Sequence, residues 1–323
     1  MVKKIILLGL ICMYTWACKD FAAPVYRDKF VAAGTVISVV SPYKEAGSLV
    51  AGEFKRLDGI LNGYLSGSDL YRVNHSHNQP IKVAPELIEL MKLAKNAYTL
   101  TQGYFDVSKG NLYQFWKSKI NNKEIIQFPG AEEIDKAKNA GGIDRIVIDE
   151  QNNTLMLTGE GMSIDVGGIA KGYMVDKAVQ RLKKEGIDSA LINAGGDLYC
   201  LGRNFKRLWQ VGIKDPRETE GVIIPLFLYD ESVATSGSYE QFFRYNGKRF
   251  SHLIDPRTGM PVENNILSVS VVAGNATTAD SLATAFFVMG IENVRTFLAG
   301  QLSTLEIYIV AQTEKGPEIY VFR

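Results

Sequence analysis

The sequence predicts an α+β protein with mixed and antiparallel sheets and flanking helices, in one large domain over residues 28–323. Three observations predict it. Short β-branched runs are joined by hairpin-type turns, the strongest being Asn246-Gly247 between Tyr239–Tyr245 and Lys248–Ile254. The amphipathic helices do not alternate regularly with strands, as a doubly wound sheet would require. Apolar residues make up 46% of the 323 residues and charged ones 22%, ample for a sizeable core. The formal net charge of +1 gives no reason to expect a nucleic-acid partner.

The N-terminus is of another kind. Lys3-Lys4 precede an apolar run, Ile5 to Tyr14, and then Thr15-Trp16-Ala17-Cys18. A spanning helix needs ~20 apolar residues, so residues 1–17 read as a signal peptide. Cleavage there leaves Cys18 first. Ala17 before the cysteine resembles a bacterial lipobox, although Thr15 stands where Leu is usual. Residues 18–27 are then a lipidated tether; ordinary cleavage with Cys18 incidental is the alternative. With Cys12 removed and Cys18 lipidated, only Cys200 remains, so no disulfide framework is expected and Cys200 belongs to the core.

Phe30 to Val40 reads as a strand bent at Gly34-Thr35, and Ser41-Pro42 can open a helix. Leu49, Val50, Phe54, Leu57 and Leu61 mark that helix, which stops near Asn62-Gly63. Tyr64 to Asn78 is polar and turn-rich, a surface loop with solvated His75 and His77. Pro85 to Thr101 is an amphipathic helix stopped by Gly103. Asn121 to Gly142 reads as an insertion or a short helix with loops, and Arg145 to Leu157 as a hairpin around Asp149–Asn153.

The middle of the chain, Ser163-Ile164-Asp165-Val166-Gly167-Gly168-Ile169-Ala170-Lys171-Gly172, organises the rest. Met162 to Val166 alternate as a short strand. Two glycines follow, then a helix carrying Met174, Val175, Ala178, Val179 and Leu182, and a strand over Ser189–Asn193. A helix N-terminus after a glycine turn can cradle a phosphate. Neither the Walker nor the dinucleotide glycine pattern is present, and the glycines equally suit close helix–strand packing. Further strands follow at Leu198–Leu201, Trp209–Ile213, Ile223–Leu228, Ser232–Thr235, Ile266–Val272, Glu306–Ala311 and Glu318–Phe322. A helix over Ala279–Met289 is capped by Thr277 or Thr278.

Asp280 and Thr284 stand four apart on that last helix, hence on one face. Carboxylate and hydroxyl oxygens are hard ligands suited to Mg²⁺, although a first-turn Asp also complements the helix dipole. The Asn246-Gly247 register sets His252 opposite Gln241, near Asp255 and Arg257.

The motifs stand in a characteristic order: Gly103-Tyr104-Phe105-Asp106; Asp165 to Gly172; Asn193-Ala194-Gly195-Gly196-Asp197; Thr235-Ser236-Gly237-Ser238-Tyr239-Glu240; His252 to Gly259; and Ala279-Asp280-Ser281-Leu282-Ala283-Thr284-Ala285. Over essentially the whole mature chain this resembles the ApbE-like family of FAD:protein FMN transferases. The resemblance implies an α+β fold with an FAD cleft between two lobes. It implies transfer of the FMN half of FAD to a threonine hydroxyl of an acceptor flavoprotein subunit in an exported redox complex, with Mg²⁺ at the pyrophosphate and AMP leaving. It further implies metal ligation by the carbonyl of Ala170 with Asp280 and Thr284, flavin-nucleotide binding by Tyr104, Phe105, Asp106, Asp165 and Lys171, and His252 as general base. The site would face the periplasm from the bacterial cytoplasmic membrane, anchored through lipid on Cys18.

Two stretches depart from the family pattern. Ala33-Gly34-Thr35 stands where Met-Gly-Thr is common, and Asn62-Gly63-Tyr64 where Ser-Thr-Tyr precedes Ser-Glu-Leu-Ser-Arg, here Ser68-Asp69-Leu70-Tyr71-Arg72. A metal-dependent FAD pyrophosphatase giving FMN and AMP, and an anchored flavin-binding protein without chemistry, are the alternatives. Intact Asp280, Thr284 and His252 argue against the last. No segment shows the family's acceptor pattern.

Overall fold

The computed structural model describes residues 24–120, 127–216, 221–238, 242–299 and 305–323. The expected signal peptide, Cys18, Tyr239, Glu240 and Gln241 lie outside the described residues, as do residues 121–126 of the expected insertion.

The first hairpin is β1 (Tyr26–Ala32) and β2 (Thr35–Ser41). Ala33 and Gly34 close it at φ 49° and 71°, a two-residue turn whose twist matches the strands. The single bent strand expected here is therefore two strands, and β1 starts within the expected tether. Helix α1 (Ala46–Leu61) buries Val50, Phe54, Leu57 and Leu61. The expected surface loop contains α2 (Asp69–Asn74), because Ser68 Oγ accepts the Tyr71 N–H at 3.0 Å and caps it. At its end His75 stacks on Tyr71, while His77 is half-buried, with Nδ1 lacking a hydrogen-bond partner among the described residues. His75 is exposed, as expected; His77 is not simply a solvated loop histidine.

Next come β3 (Ile81–Lys82), α3 (Pro85–Leu100), α4 (Gly110–Ile120), α5 (Ala131–Asn139), β4 (Ile146–Asp149) and β5 (Thr154–Leu157). The strands form a small sheet in the order β3-β5-β4. Met162–Val166 is not a strand. Its backbone bonds go elsewhere: Ile164 exchanges two 2.8 Å bonds with the Asn74 side chain, and Asp165 N–H reaches the Val107 carbonyl. An amide side chain takes the place of a neighbouring strand.

The chain continues through α6 (Ala170–Lys184), β6 (Ala190–Ala194), β7 (Asp197–Leu201), β8 (Trp209–Lys214), β9 (Val222–Leu228), β10 (Glu231–Gly237), β11 (Phe242–Tyr245) and β12 (Lys248–Ser251). It ends with β13 (Ile266–Ala273), α7 (Ala276–Ala299), β14 (Glu306–Thr313) and β15 (Gly316–Phe322). Eight strands form an antiparallel sheet in the order β1-β2-β6-β7-β10-β13-β14-β15.

Both faces of this sheet are covered. On one, Val50, Phe54 and Leu57 of α1 and Val175, Ala178 and Leu182 of α6 share a core with Ile37, Val39, Ile192, Tyr199 and Leu201. On the other, the hairpin β8–β9 lays Trp209, Ile213, Leu226 and Leu228 over Leu198, Cys200 and Val233. This is why all five residues of β7 are buried and its sequence shows no alternation. Helix α7 packs Phe286 and Phe287 with Val269, Val271 and Ile309. It is long and apolar enough to cross a membrane by length and composition alone, but it is broken at Gly290 and seated in this core.

A satellite core joins α4 and α5 to β11–β12 through Trp116, Phe243 and Phe250, with ring centroids 5.6 and 5.1 Å apart. Tyr245 pairs with Lys248 across Asn246-Gly247, both at positive φ, as expected. The strand expected to run to Ile254 stops at Ser251. Its Oγ accepts the Leu253 N–H at 3.1 Å and draws the backbone out of the ladder. His252 therefore lies in a bend.

Candidate active site

A cavity of about 410 Å³ opens beside the start of α6. Ala33 and Gly34 from the first hairpin, Asn62 to Tyr64 after α1, Gln114 and Lys117 of α4, and Asp165, Gly167, Ala170 and Lys171 line it.

Two glycines decide what stands next to it. A Cβ on Gly168 would lie 3.2 Å from Phe105 Cε2 and from Thr284 Oγ1. A Cβ on Gly172 would lie 2.3 Å from the Ala276 carbonyl oxygen and 2.9 Å from Asp280 Cβ. Only bare backbone lets the start of α6 approach α7 this closely. Asp280 and Thr284, two of the expected metal ligands, are thereby held against the start of α6, where Ala170, the third, lies.

Asp280 is buried, at 4% exposure. Its Oδ2 accepts the Gly172 N–H at 3.0 Å and lies 3.8 Å from Lys171 Nζ. Its Oδ1 takes no hydrogen bond among the described residues. Thr284 Oγ1 meets Ser236 Oγ at 3.2 Å. Lys171 also forms an ion pair with Asp197, only 2% exposed at the start of β7. Lys171 Nζ thus stands between two buried carboxylates, one from β7 and one from α7. The open Asp280 oxygen, the Thr284 hydroxyl and the Ala170 carbonyl are hard donors that fit Mg²⁺.

The phosphate cradle expected at the start of α6 is largely closed by the chain itself. The N–H groups of Ile169 and Ala170 go to the Val166 carbonyl, and that of Gly172 goes to Asp280. Asp165 Oδ1 accepts the Gly167 N–H at 2.7 Å, which fixes the glycine turn.

The remaining expected residues divide. Asp165 and Lys171 line the cavity. Tyr104, Phe105 and Asp106 do not line it. Phe105 backs Gly168, and Tyr104 lies under the Arg257 guanidinium, 3.4 Å from ring centroid to carbon. These consecutive residues thus join the oxygen cluster to the turn that follows His252. Asp106 is buried and caps a short 3-10 turn at Val107–Lys109, accepting from Ser108 N and Oγ at 2.8 and 2.6 Å. Burial raises its pKa, and the Ser108 bonds oppose that rise.

His252 is half-buried and not among the cavity-lining residues. Its neighbourhood is rigid. Asp255 N–H bonds the Met260 carbonyl at 2.8 Å, Gly259 N–H bonds the Asp255 carbonyl at 2.8 Å, and Trp116 Nε1 donates to the Gly259 carbonyl at 2.8 Å. Both Asp255 oxygens accept from Arg257, at 3.0 and 2.8 Å.

Three residues escaped the sequence reading. Asp197 is buried beside Lys171, and its position after Ala194-Gly195-Gly196 was the available signal. Ser236, within a motif noticed as a whole, meets Thr284. Asp176, inside α6, accepts the N–H groups of Ala276 and Thr277 and so caps α7, whose other cap is Asn275 rather than Thr277 or Thr278. Burial raises the Asp176 pKa against these bonds.

Fold and site together define a class: an α+β protein with a cavity lined by a lysine that stands between two buried carboxylates. The chain belongs to the ApbE family, whose family model matches residues 33–309. It is 31% identical over 266 residues to a FAD:protein FMN transferase of Vibrio cholerae, covering 80% of this chain and 77% of that one. It is 28% identical over 301 residues to one from Haemophilus influenzae, covering 90% and 84%. The crystal structure of the ApbE protein of Thermotoga maritima superposes with a TM-score of 0.81 at 32% identity, over 93% of this chain and 97% of that one.

Proposed function

We propose that this chain, a FAD:protein FMN transferase, moves the FMN half of FAD to a threonine hydroxyl of an acceptor protein in a Mg²⁺-dependent reaction. The observation that carries the reading is the close approach of Asp280 and Thr284 on α7 to the segment 168–172, which includes Ala170 and borders the cavity. A bond forms between the threonine oxygen and the FMN phosphorus. The pyrophosphate bond breaks, and AMP leaves with the bridging oxygen.

Bound Mg²⁺ would supply positive charge to the pyrophosphate and make its phosphorus a better electrophile. Asp280, Thr284 and the Ala170 carbonyl would hold it. Lys171, between Asp197 and Asp280, lines the cavity and would bind phosphate oxygens. His252 takes the threonine proton as general base. Asp280→Ala removes the one carboxylate in the ligand set, so it should release no AMP from FAD at any Mg²⁺ concentration, while still unfolding cooperatively at a somewhat lower temperature because the Gly172 N–H loses its acceptor. Wild-type AMP release in that variant would refute the assignment.

Lipid on Cys18 anchors the chain to the outer side of the cytoplasmic membrane. The support is the apolar run Ile5–Tyr14 followed by Ala17-Cys18. Cys18→Ala should appear in the soluble extracytoplasmic fraction; salt-resistant pelleting of that variant would contradict this reading.

A further inference from the structure

β1, β2, β6 and β7 run between two ends of the domain. At one end, Ala33-Gly34 lines the cavity, and Gly195 packs on Thr35. At the other, Tyr26 pairs with Ser41 and Ala190 with Leu201. Seven-residue strands put these ends roughly 20 Å apart at ~3.3 Å per residue.

A second concavity of about 500 Å³ opens at the far end, with Lys183, Arg203, Phe205 and Tyr229 in its wall. Its floor is tightly built. Gly202, at φ 57°, lies so close to the Asp188 carbonyl that a Cβ would stand 1.9 Å from the oxygen. Ser189 Oγ donates to the Arg203 carbonyl at 2.7 Å. The wall also carries two acids, Asp188, which accepts from Tyr43 Oη at 2.8 Å, and Asp230, which accepts from Gly202 N–H at 3.0 Å.

The rim is basic and apolar together. Arg203, Phe205, Lys206, Arg207 and Leu208 are all exposed. Phe205 is 48% exposed and held at φ 56°, a conformation rare for a bulky side chain. Tyr229 is 47% exposed, with the Arg203 guanidinium carbon 5.0 Å from its ring centroid. Among the described residues, no salt bridge includes Lys183, Arg203, Lys206 or Arg207. Exposed rings beside cations suit the headgroup layer of an anionic bilayer, where rings take the apolar boundary and cations meet lipid phosphates. The chain also enters the sheet at this end, at Tyr26, shortly after Cys18, where the anchored reading puts the lipid.

We propose that loop 203–208, with Lys183 and Tyr229, is a membrane-docking surface that lies on anionic lipid headgroups and holds the catalytic cavity at the opposite, solvent-facing end. The proposal shares with the anchored reading only the bilayer near Tyr26; charge and exposure support it separately.

The full chain is incubated with vesicles of phosphatidylcholine, with or without phosphatidylglycerol, and amide exchange is followed by mass spectrometry. Exchange in 203–208 should slow about tenfold on phosphatidylglycerol vesicles only and recover in high salt, because the contact is electrostatic. Residues 33–35 should not change. R203A/K206A/R207A should lose the slowing and keep its FMN-transfer rate, and Phe205→Ser alone should weaken it if the triple variant is unstable. Pelleting with pure phosphatidylcholine reports the anchor, so the two readings fail separately. Equal exchange of 203–208 on both vesicles, or the same slowing by free glycerol phosphate, would overturn the proposal.

Discussion

Gly172 gives its backbone N–H to the Asp280 carboxylate, 3.0 Å away, across the crossing of α6 and α7. One hydrogen bond thus positions an expected metal ligand and joins two elements of the core. A methyl at residue 172 has no room against the Ala276 carbonyl, so the helices must part. Gly172→Ala should cost ~1–3 kcal/mol of stability through overpacking. It should also weaken Mg²⁺ activation of AMP release. Urea unfolding and a Mg²⁺ titration on one preparation check both; an unchanged Mg²⁺ requirement would separate the crossing from the site.

His252 stands in a segment fixed by the Trp116–Phe243–Phe250 stack and the backbone bonds of the 255–259 turn. His252→Ala should therefore melt near the wild-type temperature. A base contributes ~10²–10⁴ to rate, and transfer should slow by that order. Histidine acts as base only when neutral, so wild-type transfer should fall at acid pH. The variant should lack that limb. A stable variant with an unchanged rate would remove His252 from the reaction.

Cys200 lies at the centre of the sheet, and burial pushes its thiol up to about 12. An unfolded cysteine titrates near ~8.5. The folded value is the higher one, so this group's contribution is intact below ~8.5 and is lost as pH rises from there toward 12. Iodoacetamide at mildly alkaline pH should leave Cys200 unmodified in the folded protein and alkylate it in urea. Urea midpoints across alkaline pH should fall less steeply in Cys200→Ala.

What the sequence disclosed follows the range of the interactions. The α1 stripe, α3, the β4–β5 hairpin and the Asn246-Gly247 turn rest on residues a few positions apart, and each stands as read. Met162–Val166 misled because Asn74, 90 residues from Ile164, takes the role of a neighbouring strand. The cap of α7 was assigned to nearby threonines because Asp176 reaches it from another helix. Asp280 and Thr284 were legible as one helix face. That Lys171 stands between Asp197 and Asp280 was not, since those carboxylates come from β7 and α7. Asp106 shows the converse: a motif residue whose carboxylate caps a local turn away from the cavity.

The central claim is that a threonine oxygen, rather than water, takes the FMN phosphate. Its most direct measurement is the intact and fragment mass of a candidate acceptor after incubation with the full chain, FAD and Mg²⁺, with AMP and free FMN assayed in the same tube. The acceptor should be heavier by one FMN less one water, located on a single threonine, with AMP formed in equal amount and none of either with Asp280→Ala. AMP with an equal yield of free FMN and an unmodified acceptor would contradict it and leave a FAD pyrophosphatase.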